Sequence, residues 1–340
     1  MTTPLRSAAL IGLVTCGLAA CGGPSSGGSG AAPGPAAKMT IAVIPKGTSH
    51  VFWRSVHAGA MKAAAELGVD VIWRGPVRED DRDAQISEVE RFVSRRVAGI
   101  VLAPLDDTAL VAPVDRAVQG GIPVVIIDSG LKGGACTSFV ATDNNKGGEL
   151  GGAELLKLLG GRGKVVLLRY AEGHDSSSRR EQGFLDAIKA APGIDVVSAN
   201  QYGGIDVESA YKKGESLLGR FKKPDGSPAI DGVFCPNEST TFAMLRVLQT
   251  LGWTGKVKFV GFDASDRLVQ AMKEGQIDAL VVQDPVTMGY MGVKTLVAHL
   301  KGAKVDARVD TGVTLVTREN MDQPAVRELL SPDLSKWLKQ

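Results

Sequence analysis

The feature that most constrains this chain is a repeated texture. Short runs rich in Val and Ile, with little polar alternation, are separated by longer segments of helical period. MTIAVIP (39–45) leads to a helical segment at 51–67, then VDVIW (69–73), a polar amphipathic segment at about 81–96, and GIVLAP (99–104). A helix near 108–119 and PVVIID (123–128) close the first block. The pattern then restarts with SFVATDN (138–144), KVVLLRY (164–170), IDVVSA (194–199), AIDGVFCPN (229–237), KVKFVGFD (256–263) and IDALVVQD (277–284), with helices between them. Continuous apolar runs suit strands covered on both faces, so the pattern predicts parallel sheets flanked by helices. Two blocks of βαβ repetition predict an α/β protein of two doubly wound domains, each of about 130–150 residues.

In open α/β sheets, ligands meet the loops beyond the carboxyl ends of the strands. Here those ends carry polar groups of fixed direction: Lys46 to His50, Asp106 and Asp107, Asp128 and Ser129, Tyr170 to Glu172, Asn237 and Glu238, Asp263, and Gln283 with Asp284. Aromatic residues are only 5% of the chain, so Phe52 and Trp53 just after the first strand stand out. Carboxylates accept from two hydroxyls at once, Asn and Gln donate and accept, and an aromatic face covers the C–H face of a sugar ring. The set points to a polyhydroxylated ligand.

The N-terminus sets the compartment. Residues 1–20 combine a single charge, Arg6, with an interrupted apolar stretch that ends in small residues, the pattern of an export signal. The stretch is too short and too broken for a membrane-spanning helix. LAAC (18–21) resembles a bacterial lipobox, which makes Cys21 the expected lipidation site. The Gly/Ser/Pro-rich segment over 21–38 then reads as a flexible tether. Cys136 and Cys235 are too few for a disulfide framework and are expected to be free and partly buried.

Other chemistries lack their motifs. A formal net charge of +2 argues against a nucleic-acid surface. GGRGKV (160–165) has Leu158 and Val165 where a phosphate loop needs Gly and Ser or Thr, so it reads as a helix-ending turn. The glycines of NNKGGELGG do not match a dinucleotide fingerprint, and the four histidines show no metal-ligand spacing. No nucleophile–base–orienter set emerges, so neither an enzyme, nor a cofactor, nor a metal site is expected.

Several segments together resemble the ribose- and galactose-type periplasmic binding proteins that deliver sugars to ABC transporters. They are IAVIPKGTSHVFW, GIVLAPLDDTAL, GIPVVIID, FVATDNNKGGELGG, SSSRREQGF, VFCPNESTTFAMLRVLQTLG, KFVGFDAS and DTGVTLVTRENM, in that order. The resemblance implies two Rossmann-like lobes joined by three hinge crossovers, near 142–143, 283–284 and 311–313. It assigns 39–142 with 284–312 to one lobe and 143–283 with 313–340 to the other.

It further implies a binding set. Lys46 stands at the end of the first strand, His50 at an Asn-like position, and Phe52 and Trp53 as the stacking pair. Asp128 ends the fourth strand, Arg180 precedes the Gly-Phe pair by three residues, and Asn237, Asp263 and Gln283 complete the set. Ser129 replaces an Arg frequent in ribose binders, and Lys46 and His50 replace smaller neutral groups. Lys46 is expected either to pair with Asp128 or Asp263 or to meet an acidic sugar, and a neutral monosaccharide or polyol suits the aspartates and aromatics better.

The function implied is a lipid-anchored, monomeric solute-binding protein, in the periplasm or on the outer face of the cell membrane, serving an ABC permease. A sugar sensor presenting its closed form to a chemoreceptor or sensor kinase would use the same lobes. A sugar-responsive transcription regulator would need a helix-turn-helix where this chain has its signal and tether.

Overall fold

A computed structural model describes residues 38–338. The first run of elements is β1 (Thr40–Ile44), α1 (Val51–Leu67), β2 (Asp70–Trp73), α2 (Arg82–Ser94), β3 (Gly99–Leu102), α3 (Val111–Gln119), β4 (Val124–Ile127) and β5 (Ser138–Ala141). The second is α4 (Asn144–Leu158), β6 (Arg162–Arg169), α5 (Asp175–Lys189), β7 (Gly193–Tyr202), α6 (Val207–Gly219), β8 (Gly232–Phe234), α7 (Glu238–Leu251), β9 (Lys258–Phe262), α8 (Asp266–Lys273) and β10 (Ala279–Gln283). The chain ends with α9 (Pro285–Leu300), β11 (Arg308–Asp310), β12 (Val313–Thr317) and α10 (Pro324–Leu330).

Two six-stranded sheets result, in the orders β11-β5-β4-β3-β1-β2 and β12-β10-β9-β8-β6-β7. Each is the core of one lobe, and strands such as β3, β4 and β10 are buried along their whole length. Their unalternated Val/Ile runs follow from burial on both faces. The order reverses between β1 and β3 in one sheet and between β6 and β8 in the other, so each lobe has its own switch-point crevice. The chain passes between sheets three times: from β5 into α4, from β10 into α9, and from β11 into β12.

Three features depart from the all-parallel, fully buried pattern. Strand β12 runs antiparallel to β10, with Val313 opposite Gln283. It enters its sheet from the crossover at Gly312, at the end where β10 finishes, and so can only run back the other way. Strand β7 is longer than expected and half exposed, because it lies at a sheet edge and pairs with β6 through two register shifts. Cys136 is exposed rather than partly buried, on the loop after β4, whereas Cys235 is fully buried. Both are free.

Two helix pairs cross at glycines. Gly59 of α1 faces the backbone of α9 and Gly289 of α9 faces that of α1, so a methyl group on either would overlap a facing carbonyl oxygen. Gly148 of α4 and Gly183 of α5 repeat the arrangement in the other lobe. The second crossing sets the height of α5, and with it the position of Arg180 one turn before Gly183.

Candidate ligand-binding site

The carboxyl ends of both sheets face one cleft, whose walls stand close together around a cavity of about 40 Å³. Lys46, His50, Phe52, Trp53, Glu79 and Asp128 line it from the first lobe, and Tyr170, Ser176, Ser177, Arg180, Asn237, Glu238, Ser239 and Asp263 from the second. Gln283 lies where β10 leaves for the crossover.

Lys46 follows β1 and is 3% exposed. Its Nζ pairs with Asp128 Oδ2 at 2.5 Å and donates to Ser129 Oγ and, across the lobes, to Ser176 Oγ at 3.1 Å. Of the three roles open to Lys46, the structure shows the pair with Asp128. Ser129 does not reach the cleft wall. It is 1% exposed and sits behind Lys46 and Asp128, bonded to both and to Ser176. Burial would push the Asp128 carboxyl up, but the Lys46 and Arg180 charges hold it below the ordinary range.

Asp128 and Asp263 occupy equivalent places, after β4 and after β9, and both have left-handed backbones, with φ of 63° and 66°. Asp tolerates that region better than most residues. Non-glycine residues held there cluster at active sites and ligand clamps. Asp263 could have served as a helix cap, but Ser265 stands at the start of α8 instead. Asp263 Oδ1 accepts from Gln283 Nε2 at 2.7 Å, and Oδ2 lies 3.7 Å from Arg180. Burial raises its carboxyl above the ordinary value despite Arg180 and Gln283. Gln283 Oε1 is buried at this wall with no partner among the described residues.

Arg180 is 2% exposed. It donates to Asn144 Oδ1 at 2.8 Å and Pro236 O at 3.1 Å, and its guanidinium lies 4.0 Å from the Phe262 ring centroid. Asn237 caps α7, accepting from Thr240 N–H and Oγ1–H, while its Nδ2 donates to Ser239 Oγ. Phe52 and Trp53 form an edge-to-face pair with centroids 5.0 Å apart in the first turn of α1. Trp53 Nε1–H donates to Glu79 Oε1 at 2.7 Å.

His50 Nδ1 accepts from Phe52 N–H as the cap of α1, and Nε2 meets Glu238 Oε2 of the other lobe at 2.8 Å. Burial lowers its pKa, but the Glu238 carboxylate, helped by Glu79 and Asp263, raises it to about 9. A proton on Nδ1 displaces the Phe52 cap, so the charged ring exchanges that bond for a stronger interlobe pair. The favourable contribution is complete below the ordinary value of 6.5 and is lost as pH rises through about 9. Ligand affinity is therefore expected to fall by about tenfold or more from pH 6.5 to pH 9. Titration calorimetry on wild type and His50→Gln checks this, and an equal slope in both would show that the His50–Glu238 pair does not govern affinity. Nearby His174 is buried with Nδ1 unpartnered, and burial together with the Lys46 charge lowers its pKa to about 3. Acidification below 6.5 opposes the folded state there.

Glu79, Ser176, Ser177 and Ser239 also line the cleft but were not expected there, and Tyr170 and Glu238, marked as strand-end groups, had not been placed in the binding set. Tyr170 and Glu238 stand at strand ends, the signal that marked the others. Ser176 and Ser177 open α5, four and three residues before Arg180. Glu79 lies in the loop after β2, where no feature marks it. Glu172, also at a strand end, is exposed and outside the cleft.

A family model described as a periplasmic binding protein domain matches residues 41–304. The chain belongs to the periplasmic binding protein family. Relatives of this periplasmic binding protein include the D-allose-binding periplasmic protein of Escherichia coli K12, 31% identical over 78% of this chain and 85% of that protein. A carbohydrate transporter solute-binding protein of Agrobacterium radiobacter, solved with D-arabinose, superposes with a TM-score of 0.82 at 37% identity, covering 87% of this chain and all of that one. An ABC transporter solute-binding protein of Agrobacterium vitis with bound D-fucose gives 0.81 at 35% identity, over 86% of this chain and all of the other. These relatives are sugar-binding transport proteins, not enzymes, and their fold is the two-lobed one seen here. Among the described residues no helix is long and apolar enough to cross a membrane.

Proposed function

We propose that the chain captures a monosaccharide or related polyol by hinge closure outside the cytoplasm and delivers it to an ABC permease. The observation that carries this is the convergence of two sets of strand ends on a single cleft walled by carboxylates, amides, a guanidinium and an aromatic pair. The ligand settles between Phe52, Trp53, Asp128 and the other first-lobe groups. Arg180, Asn237 and Asp263 then close over it, with the three crossovers absorbing the rotation. A monosaccharide has about twelve heavy atoms, so micromolar affinity asks for about −0.7 kcal/mol per atom. That demands a dry site in which nearly every hydroxyl is satisfied, mostly by charge-assisted bonds. The unpartnered Gln283 Oε1 supports this reading as an acceptor for a ligand hydroxyl.

The test is a thermal-shift panel of pentoses, hexoses, inositols, sugar acids and nucleosides on protein first stripped of bound ligand. A ligand at a hundred times its Kd adds about 2.7 kcal/mol and raises the melting temperature by several degrees. A blank panel would refute the sugar reading. The same proposal includes a monomer held at the membrane through Cys21, which lies outside the described residues, as do the signal and most of the tether. Cys21→Ser is expected to release the protein from membranes in cell fractionation with ligand affinity unchanged. Retention on the membrane would dismiss the anchor.

A further inference from the structure

The charges that line the cleft do not balance. Lys46 is neutralised by Asp128 at 2.5 Å, Arg180 faces Asp263 at 3.7 Å, and His50 is matched by Glu238 at 2.8 Å. One acidic group is left over. Glu79 lines the cleft, and its two bonded neighbours are both uncharged: Trp53 Nε1–H on Oε1 at 2.7 Å and Tyr170 OH on Oε2 at 3.2 Å. A carboxylate has about four lone-pair positions, so two remain after these bonds. The three cations of the cleft are already committed, and the surplus is one negative charge with His50 protonated and two without.

We propose that Glu79 is a specificity-determining residue of this cleft: its carboxylate, in direct contact with no cation among the described residues, accepts from hydroxyls of the bound ligand and excludes ligands that carry a carboxylate or phosphate. Lys46, for all its position at the end of β1, offers an acid group nothing, because Asp128 and two serine hydroxyls already hold its Nζ. An acidic ligand would bring a second negative charge beside Glu79 into a site with little water to screen it. A hydroxyl brings the donor that the carboxylate still lacks.

This inference rests on the sugar-binding reading, and one set of titrations tests both. Calorimetry would compare D-arabinose, D-fucose, D-galactose and D-glucose with D-galacturonate and D-glucuronate on ligand-stripped wild type, Glu79→Gln and Tyr170→Phe. The expected wild-type result is discrimination of about a hundredfold or more against both uronates relative to the best neutral sugar. In Glu79→Gln, affinity for that neutral sugar falls about tenfold or more and the discrimination shrinks to about tenfold or less. Tyr170→Phe removes one neighbour of Glu79 but leaves its charge, so discrimination persists.

A uronate binding wild type within tenfold of the neutral sugars would overturn the assignment. So would a Glu79→Gln variant with unchanged affinity and selectivity. Equal relaxation in Tyr170→Phe would show Glu79 to be a strut between Trp53 and Tyr170 rather than a reader of charge. If no sugar of either kind binds wild type, the sugar reading falls and the assignment falls with it. Binding of neutral sugars and uronates alike removes the Glu79 assignment alone.

Discussion

Replacing Asp263 by Asn is expected to weaken ligand affinity by about 2–4 kcal/mol, roughly thirty- to a thousandfold, without unfolding the protein. The loss follows from removing an ionised acceptor in a closed site, where a donor of the ligand left with a weaker partner is not rescued by water. The fold survives for two reasons. Asn tolerates the left-handed backbone at this position, φ 66°, and Arg180 keeps its bonds to Asn144 and Pro236 and its contact with Phe262. Stability supplies an independent sign. Burial raises the Asp263 carboxyl above its ordinary value, so the folded state is penalised as pH rises and the group ionises. Removing that charge should leave the ligand-free variant melting at or above the wild-type temperature at neutral pH. Calorimetric affinity and thermal melting measured together separate the cases. Lost affinity with retained stability supports Asp263 as a ligand contact, and unchanged affinity removes it from the site.

Lys46→Met is expected to be the most destabilising change in the cleft, at about 3–5 kcal/mol near pH 7. Lys46 and Asp128 side chains are 4% and 5% exposed, and a methionine fills the volume of the lysine stem while leaving a buried carboxylate without its nearest cation. In the wild type, burial opposes ionisation of Asp128, and the Lys46 and Arg180 charges overcome it and depress its pKa. The stabilisation this represents is present above the ordinary value of 3.8 and is lost as pH falls below it. In the variant the carboxyl moves up, so its deficit should shrink on acidification from pH 7 to about 5. Adding Asp128→Asn should recover most of the lost stability at pH 7. Denaturant unfolding of the two single variants and the double variant makes a thermodynamic cycle. Additive effects would show that the pair is not the unit described here.

Much of the architecture was readable in the linear order of residues. Unalternated runs such as GIVLAP and PVVIID signal strands buried on both faces, and their recurrence in two blocks signals two doubly wound lobes, because these patterns are set locally by chain period. Strand-end logic also located Lys46, Asp128, Asn237, Asp263 and Gln283, since the carboxyl end of a strand is a place in sequence as well as in space.

What the linear order did not contain were the relations between distant segments. The direction of β12 depends on where the last crossover delivers the chain. The choice of Asp128 as partner for Lys46, 82 residues away, depends on β1 and β4 ending in the same crevice. Ser129 looked like a ligand contact by position, yet its backbone turns it behind the pair it supports. Glu79 had no local signal at all: its proposed importance is that the three cations of the cleft contact other carboxylates and leave it with uncharged neighbours. Charge balance is a property of a closed volume, and only the folded chain defines which groups share that volume.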